Sequence, residues 1–192
     1  MVRRRVPTAI LLTPGAGADR DHATLVALDE ALSAEGVAVA RMDFPYRIAG
    51  RRAPDRAPVL IQAIRSAAAD LAASAGLLPG RLVLGGRSMG GRMCSMAVAE
   101  GLDALALVLV SYPLHPPGKP EKPRTGHLPA LSLPCLFVSG TRDAFATPDE
   151  LMAATATITG PVTHVWIEGG DHGLRGRDAQ VVAAVQAFLA TL

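Results

Sequence analysis

Short apolar runs alternate with amphipathic stretches from one end of the chain to the other. These runs are too short for a membrane span and too continuous for a half-exposed strand, which indicates strands buried on both faces. The predicted strands are Thr8 to Leu12, Val37 to Met42, Leu82 to Leu84, Leu105 to Val110, Leu136 to Val138 and Val162 to Ile167. Strict alternation of strands and helices predicts an α/β fold with a mostly parallel, six-stranded sheet and helices on both faces.

The intervening stretches carry apolar residues at helical spacing. The three clearest faces are Leu25, Leu28 and Leu32; Leu60, Ile64, Ala67 and Leu71; and Val181, Val185, Phe188 and Leu192. At 192 residues the chain is long enough to bury a core, and we expect residues 1–192 to form a single domain.

One segment interrupts the alternation. Residues 111–134 contain seven prolines and cannot form an ordinary helix. The segment leaves the carboxyl end of the fourth predicted strand, which is the edge where ligands bind in open α/β sheets. We therefore expect a functional loop here, and no separate cap domain.

The charge pattern narrows the classes of partner. The net charge is +2, from 17 arginines and only two lysines against 17 acidic residues, and the arginines are scattered. Aromatic residues make up 4% of the chain, so the basic stripe and stacking rings of nucleic-acid binders are both missing. We expect no nucleic-acid partner and no membrane partner, and the oligomeric state stays open.

The remaining composition predicts an intracellular protein without bound groups. The N-terminal apolar run ends in a glycine turn, which is typical of a first strand rather than a signal peptide, so we expect a cytoplasmic protein. Cys94 and Cys135 each lie in a predicted buried element, where we expect core thiols rather than a disulfide or a metal site. We expect no metal and no cofactor.

The sequence Gly-Arg-Ser-Met-Gly at residues 86–90 follows a predicted strand and opens a predicted helix. It matches the G-x-S-x-G turn in which a serine nucleophile stands on a strained backbone between small neighbours. An ordinary strand-to-helix turn is the alternative reading of Ser88.

A base and an acid follow Ser88 in the order that this turn requires. Asp143 comes just after the fifth predicted strand and His172 just after the sixth. A serine hydroxyl needs a base to take its proton, and the base needs an acid to hold its tautomer. Asp171 competes as the acid, although its place in a tight turn favours a loop-holding role. Of the other histidines, we expect His22 and His127 in surface loops and His164 to be structural.

Two backbone N–H groups should stabilise the oxyanion of such a hydrolase. Met89 directly follows the serine, and Ala16 lies in the glycine-rich loop after the first strand. That loop, GAGADR, also resembles a dinucleotide-binding fingerprint, with Asp43 as the ribose ligand. Arg20 occupies its third glycine position, and this alternative leaves Ser88, Asp143 and His172 unexplained.

Several motifs resemble, in order, those of a small α/β-hydrolase group related to the dienelactone hydrolases. The group includes vertebrate testis-expressed protein 30 and the hydrolase-like domain of a non-specific-lethal chromatin complex subunit. The matching motifs are TPGAGAD, RMDFPYR, GGRSMGGR, SYPLHPPGKPEKPRTGHL, SGTRDAF and GGDHGL.

The resemblance implies a minimal α/β-hydrolase fold with Ser88, Asp143 and His172 as its catalytic triad. The relatives usually carry His-Gly where this chain has Pro14-Gly15, which implies a differently set oxyanion loop. The chromatin-associated member supplies a second hypothesis, a hydrolase fold used as a non-catalytic interaction module.

The expected substrate is a small acyl compound such as an ester. Our candidates for substrate binding are Arg47, Arg87 and His115, which belong to segments near the carboxyl edge of the sheet. The same segments also contain Asp43, Lys119, Lys122 and Arg124. A cationic rim would select a substrate with a carboxylate or phosphate. In the alternative reading, Arg47 pairs with Asp43 and the lysines of the proline-rich segment are solvated.

Overall fold

The computed structural model describes residues 9–78 and 80–192. Its strands are β1 (Ala9–Thr13), β2 (Ala38–Arg41), β3 (Leu82–Arg87), β4 (Ala106–Val110), β5 (Cys135–Gly140) and β6 (Val162–Ile167). Its α-helices are α1 (Ala23–Ala34), α2 (Pro45–Ile48), α3 (Ala57–Ser74), α4 (Met89–Ala99), α5 (Pro148–Thr155) and α6 (Asp178–Leu189). A single-turn 3-10 helix spans Leu128–Ala130. Thr8, the first residue of the first predicted strand, lies outside the described residues.

The strands form one six-stranded sheet in the order β2-β1-β3-β4-β5-β6. Every neighbouring pair is parallel, so all carboxyl ends meet at one edge. The predicted α/β fold class is confirmed, and within the described ranges no separate cap domain is present. None of the helices described has the length and apolar character needed to cross a membrane.

Two apolar cores lie on opposite faces of the sheet. In β1, Leu11 contributes to the core beneath α3, α4 and α5, and Leu12 to the core beneath α1 and α6. All five residues of β1 are buried, as the unbroken apolar run predicted. Cys94 and Cys135 are buried free thiols, which confirms them as core residues.

Strand β5, predicted over Leu136 to Val138, spans Cys135–Gly140, and the other main departure is the length of β3. It was predicted to end at Leu84 and continues to Arg87, because Gly85 and Gly86 pair with Val108 and Leu109 of β4. Glycine weakens a strand, so the sequence alone predicts that the turn begins at Gly85. Here the glycines are held by strands on both sides, and the turn begins only at Ser88.

Ala67 of α3 is half-buried and packs against the core, which agrees with the predicted helix face. One detail of the predicted helix faces is wrong. Leu192 is 43% exposed, since α6 ends at Leu189 and the chain leaves the core there.

The two ends of the proline-rich segment pack against the core and α4, whereas residues 117–123, with both lysines, are exposed. Leu128 is fully buried, and Ser95 of α4 lies 2.7 Å from Nε2 of His127. Tyr112 Oη lies 3.3 Å from the same nitrogen. The expectation that His127 is a surface-loop histidine is therefore wrong, because its ring fastens this segment, residues 111–134, to the helix.

Burial, together with the nearby charge of Arg92, lowers the pKa of His127 to about 4. In the unfolded chain the imidazole takes a proton near its ordinary pKa of about 6.5. Between these values the unfolded state binds more protons, so the free energy of unfolding falls as the pH drops from 6.5 towards 4.

We expect His127→Gln to remove part of this pH dependence, about 1 kcal/mol between pH 7 and pH 5 after allowance for solvent screening. Urea unfolding of both proteins at the two pH values measures it. His22 and His164, whose pKa values burial also lowers, contribute equally to both proteins. An unchanged pH dependence in the variant would contradict the assignment.

Candidate active site

Ser88 stands at the junction of β3 and α4 in a strained conformation. Its φ is +53° and its ψ is −119°, in a region that residues other than glycine rarely occupy. Its own N–H donates to the carbonyl of Val110 at 2.8 Å, and its hydroxyl does not cap α4. The turn therefore presents the hydroxyl outward at the carboxyl edge of the sheet.

The glycines around Ser88 are required by close backbone contacts. A Cβ on Gly90 would lie 2.5 Å from the carbonyl oxygen of Pro14, and one on Gly86 would lie 2.7 Å from the N–H nitrogen of Gly91 and also collide with Thr13 Oγ1. Real Cβ atoms do not approach backbone atoms so closely. Strand β3, helix α4 and the loop after β1 can therefore meet only where these side chains are missing.

His172 and Asp143 complete a continuous chain of hydrogen bonds with Ser88. His172 Nε2 lies 2.8 Å from Ser88 Oγ, and Nδ1 lies 2.9 and 2.8 Å from the two carboxylate oxygens of Asp143. The Asp143 side chain is 1% exposed, whereas that of His172 is 19% exposed. An ionised Asp143 accepts from Nδ1–H, which leaves Nε2 as the acceptor for the serine hydroxyl.

Further contacts orient this pair. The N–H of Phe145 donates to Asp143 Oδ1 at 2.8 Å, and the Phe145 ring stacks on the His172 ring with centroids 3.9 Å apart. Asp171 accepts hydrogen bonds from the N–H groups of Gly173 and Leu174 and holds their loop. Of the two acids considered from the sequence, the structure places Asp143 against the imidazole.

Arg87 supports the histidine from the side of the strand. It is 9% exposed, and its Nη2 donates to the carbonyl of His172 at 2.6 Å. Burial lowers the pKa of Arg87, although the nearby carboxylates, with Asp143 first among them, act in the opposite direction. Arg87 also lines the cavity beside Ser88, so it remains a candidate for substrate contact.

The two predicted oxyanion donors, Met89 and Ala16, both line this cavity. Met89 is the first residue of α4, so its N–H has no acceptor within the helix. The hydroxyl of Tyr46 donates to the carbonyl of Ala16 at 2.8 Å, and Ala18 N–H donates to Gly15. These bonds hold the loop after β1 in place where Pro14 replaces the histidine expected from the resemblance.

The cavity measures about 800 Å³ and opens at the carboxyl edge of the sheet. It lies between the loop after β1, the start of α4, the proline-rich segment and the loop that carries His172. Four arginines contribute to its wall: Arg87, Arg92, Arg124 and Arg175.

Two of the predicted substrate-binding residues are engaged elsewhere. Arg47 pairs with Asp19 at 3.3 Å, whereas Asp43 accepts from the N–H of Arg20, so the expected pairing of Arg47 with Asp43 is wrong. Arg47 therefore pairs with an acid of the loop after β1, and Arg20 of that loop pairs with Asp43.

His115 is 6% exposed and lies behind the site instead of in the cavity. Its Nε2 lies 3.3 Å from Glu150, and its N–H donates to the carbonyl of Phe145. The hydrogen bond from His115 Nδ1 to the Pro116 carbonyl, followed by the contact with Glu150, raises the pKa of His115. It supports the residue that stacks on His172 and does not reach substrate.

Sequence reasoning missed Arg92, Phe145 and His22 as residues of this region. Arg92 comes four residues after Ser88, one helical turn along α4, which is a usable signal once Ser88 is singled out. His22 lies half-exposed in the loop before α1, as expected, but its ring accepts from the N–H of Thr24 and the residue lines the cavity. No local pattern marks Phe145.

The profile of the alpha/beta hydrolase domain family matches residues 6–188. The chain belongs to this family.

Solved structures of hydrolases share the fold at low sequence identity. Est1E from Butyrivibrio proteoclasticus, solved with ferulic acid, has 20% identity over 97% of this chain and 89% of its own, with a TM-score of 0.76. An alpha-beta serine hydrolase homologue from Coxiella burnetii has 18% identity over 94% and 84%, with a TM-score of 0.76. A serine hydrolase without lid from Xanthomonas campestris has 19% identity over 94% and 81%, with a TM-score of 0.70.

We expect Gly90→Ala to destabilise the protein by about 1–3 kcal/mol, because its methyl group would press on the backbone of Thr13 and Pro14. At an unobstructed helix position, alanine stabilises the helix more than glycine does. A loss of stability can therefore be attributed to the close backbone contact. Gly17→Ala is the matched control, since nothing lies within 4 Å of its Cβ. Urea unfolding distinguishes the two, and equal stabilities would contradict the close packing at the turn.

Proposed function

We propose that this protein is a serine hydrolase that cleaves an ester or related acyl compound through Ser88, His172 and Asp143. The observation that supports it is the unbroken hydrogen-bond chain from Ser88 Oγ to the buried Asp143, located at the wall of a large cavity. We place it with hydrolases of the carboxylesterase or dienelactone-hydrolase type, and propose that the whole chain forms one catalytic domain.

In the first half of the reaction, His172 Nε2 takes the proton of the Ser88 hydroxyl as Oγ attacks the carbonyl carbon. The imidazolium is stabilised by the Asp143 carboxylate. The oxyanion accepts hydrogen bonds from the N–H groups of Met89 and Ala16. Collapse of this intermediate breaks the bond to the leaving alcohol, which receives the proton from His172, and an acyl-serine ester remains.

In the second half, water takes the place of the alcohol. His172 removes a proton from that water, whose oxygen attacks the acyl carbon, and Ser88 recovers its proton when the acid leaves. Each cycle consumes one ester and one water and releases one acid and one alcohol. The stacked Phe145 ring and the Asp143 hydrogen bond hold the imidazole in place for both transfers.

The site favours small acyl compounds. The structure of Est1E holds ferulic acid, and the Xanthomonas protein is described as lacking a lid. This chain likewise shows no cap domain in its described ranges. We propose that the substrate is a small molecule and that the chain is related to the testis-expressed protein 30 group. The alternative, a hydrolase fold that serves as a non-catalytic interaction module, predicts the opposite result in the test below.

We expect Ser88→Ala to lower kcat for an activated ester by up to about a millionfold, as in an optimised serine hydrolase. Asp143→Asn should lower it about ten-thousandfold, because the histidine loses its correct tautomer. Asp171→Asn is the matched control: an asparagine oxygen can still accept from Gly173 and Leu174, so activity should stay near that of the unaltered protein.

These rates are measured with purified protein and a p-nitrophenyl ester, after subtraction of spontaneous hydrolysis. Circular dichroism of each variant checks that the fold persists. Equal activity in the Ser88→Ala protein, or no activity in any folded form, would overturn the proposed function and favour the interaction module.

A further inference from the structure

Of the four arginines in the cavity wall, the two half-buried ones have no acidic partner in the described part of the chain. Arg92 and Arg124 both line the cavity, and among residues 9–78 and 80–192 neither forms an ion pair with a carboxylate. The Nε of Arg92 is buried without a hydrogen-bond partner in this part of the chain. An unsatisfied charged donor is costly unless something else accepts its hydrogen bonds.

The position of Arg92 relates it directly to the nucleophile. It lies four residues after Ser88, where the N–H of Arg92 donates to the Ser88 carbonyl in the first turn of α4. One turn of helix corresponds to about 5–6 Å along the axis. A group bound by this guanidinium would therefore lie close enough to Ser88 to be part of the same small molecule as the carbonyl that Ser88 attacks.

Arg124 is brought to the cavity by a firmly held backbone. Its N–H donates to the carbonyl of Leu114 at 2.7 Å, and its own carbonyl lies 3.5 Å from Tyr112 Oη. His127, three residues further on, is fastened to Ser95 of α4. The proline-rich segment thus holds Arg124 over the helix that carries Arg92.

The electrostatic surroundings of the arginines differ. Asp143, Asp171 and Asp178 act on Arg87, whose guanidinium is also used by the His172 carbonyl. Arg92 instead lies near a second cation, since burial and then the charge of Arg124 lower its pKa, opposed only by Tyr112. The positive charge at this end of the cavity is therefore uncompensated within the described chain.

We propose that Arg92 and Arg124 bind an anionic group, a carboxylate or phosphate, on the acyl substrate that Ser88 attacks. This inference rests on the proposed function and names its substrate class. It keeps Arg124 from the cationic rim expected from the sequence, adds Arg92 of α4, and leaves out Arg47 and His115. Planar guanidinium groups suit such anions because they donate two parallel hydrogen bonds.

The test compares esters that differ only in charge. The first pair, p-nitrophenyl adipate hemiester and p-nitrophenyl 6-methylheptanoate, places a carboxylate or its neutral branched isostere on the acyl part. The second pair, 3-(carboxymethyl)phenyl butyrate and 3-isobutylphenyl butyrate, places them on the leaving group. The value of kcat/KM is measured for each ester.

We expect the charged ester of at least one pair to be preferred by about tenfold or more, as for hydrogen bonds to a charged group. Arg92→Gln and Arg124→Gln should each remove most of this preference and leave the neutral ester within about twofold. Arg81→Gln is the matched control, because it removes one positive charge just before β3, at the opposite edge of the sheet. Added salt should weaken the preference in the unaltered protein.

The outcomes separate the two proposals. Neutral and charged esters cleaved equally well, in a reaction abolished by Ser88→Ala, would overturn the anionic substrate class and leave the hydrolase standing. A charge preference that Arg81→Gln reduces as much as Arg92→Gln would also overturn it, since general attraction would then suffice. Cleavage of none of the four esters would remove both proposals together.

Discussion

The structure depends on the close approach of three backbone segments around Ser88. Strand β3, the start of α4 and the loop after β1 meet where Gly86, Gly90 and Gly91 have no side chains. This contact forces Ser88 into the left-handed region and points its hydroxyl away from the core. The strain is sustained by β3, which is paired on both sides and buried throughout. The same packing therefore positions both the proposed nucleophile and the proposed oxyanion loop.

The parallel sheet brings the other groups to the same edge. Asp143 and His172 follow β5 and β6, so neither needs a long loop to reach Ser88. Each is then held by local contacts, with Phe145 on the ring and on the carboxylate, and Arg87 on the His172 carbonyl. Beyond them, the proline-rich segment forms part of the cavity wall and contributes the positive charge of Arg124. In the proposed function, one half of the site transfers protons and the other half binds the anionic group of the substrate.

The sequence predicted the fold and the chain order of Ser88, Asp143 and His172 because these follow from local patterns: apolar runs, a glycine-flanked serine and polar residues at strand ends. The sequence was less informative where contacts between distant segments decide which side chains pair with each other. Arg47 and His115 were assigned to the site from their position near the sheet edge, but nearby carboxylates hold both of them. Arg124 reaches the cavity because the proline-rich segment folds back on α4, and no spacing in the sequence reports that contact. The extra length of β3 was missed because glycines were read as breaks.

The most direct measurement of the central claim is the site of covalent modification by a fluorophosphonate probe, located by peptide mass spectrometry. A serine whose hydroxyl points out of a strained turn and is hydrogen-bonded to an imidazole should react with the probe, whereas other hydroxyls should not. The account predicts a single adduct on Ser88, reduced strongly in Asp143→Asn and retained in Asp171→Asn. A folded protein that carries no adduct, or carries it on another residue, would contradict the account.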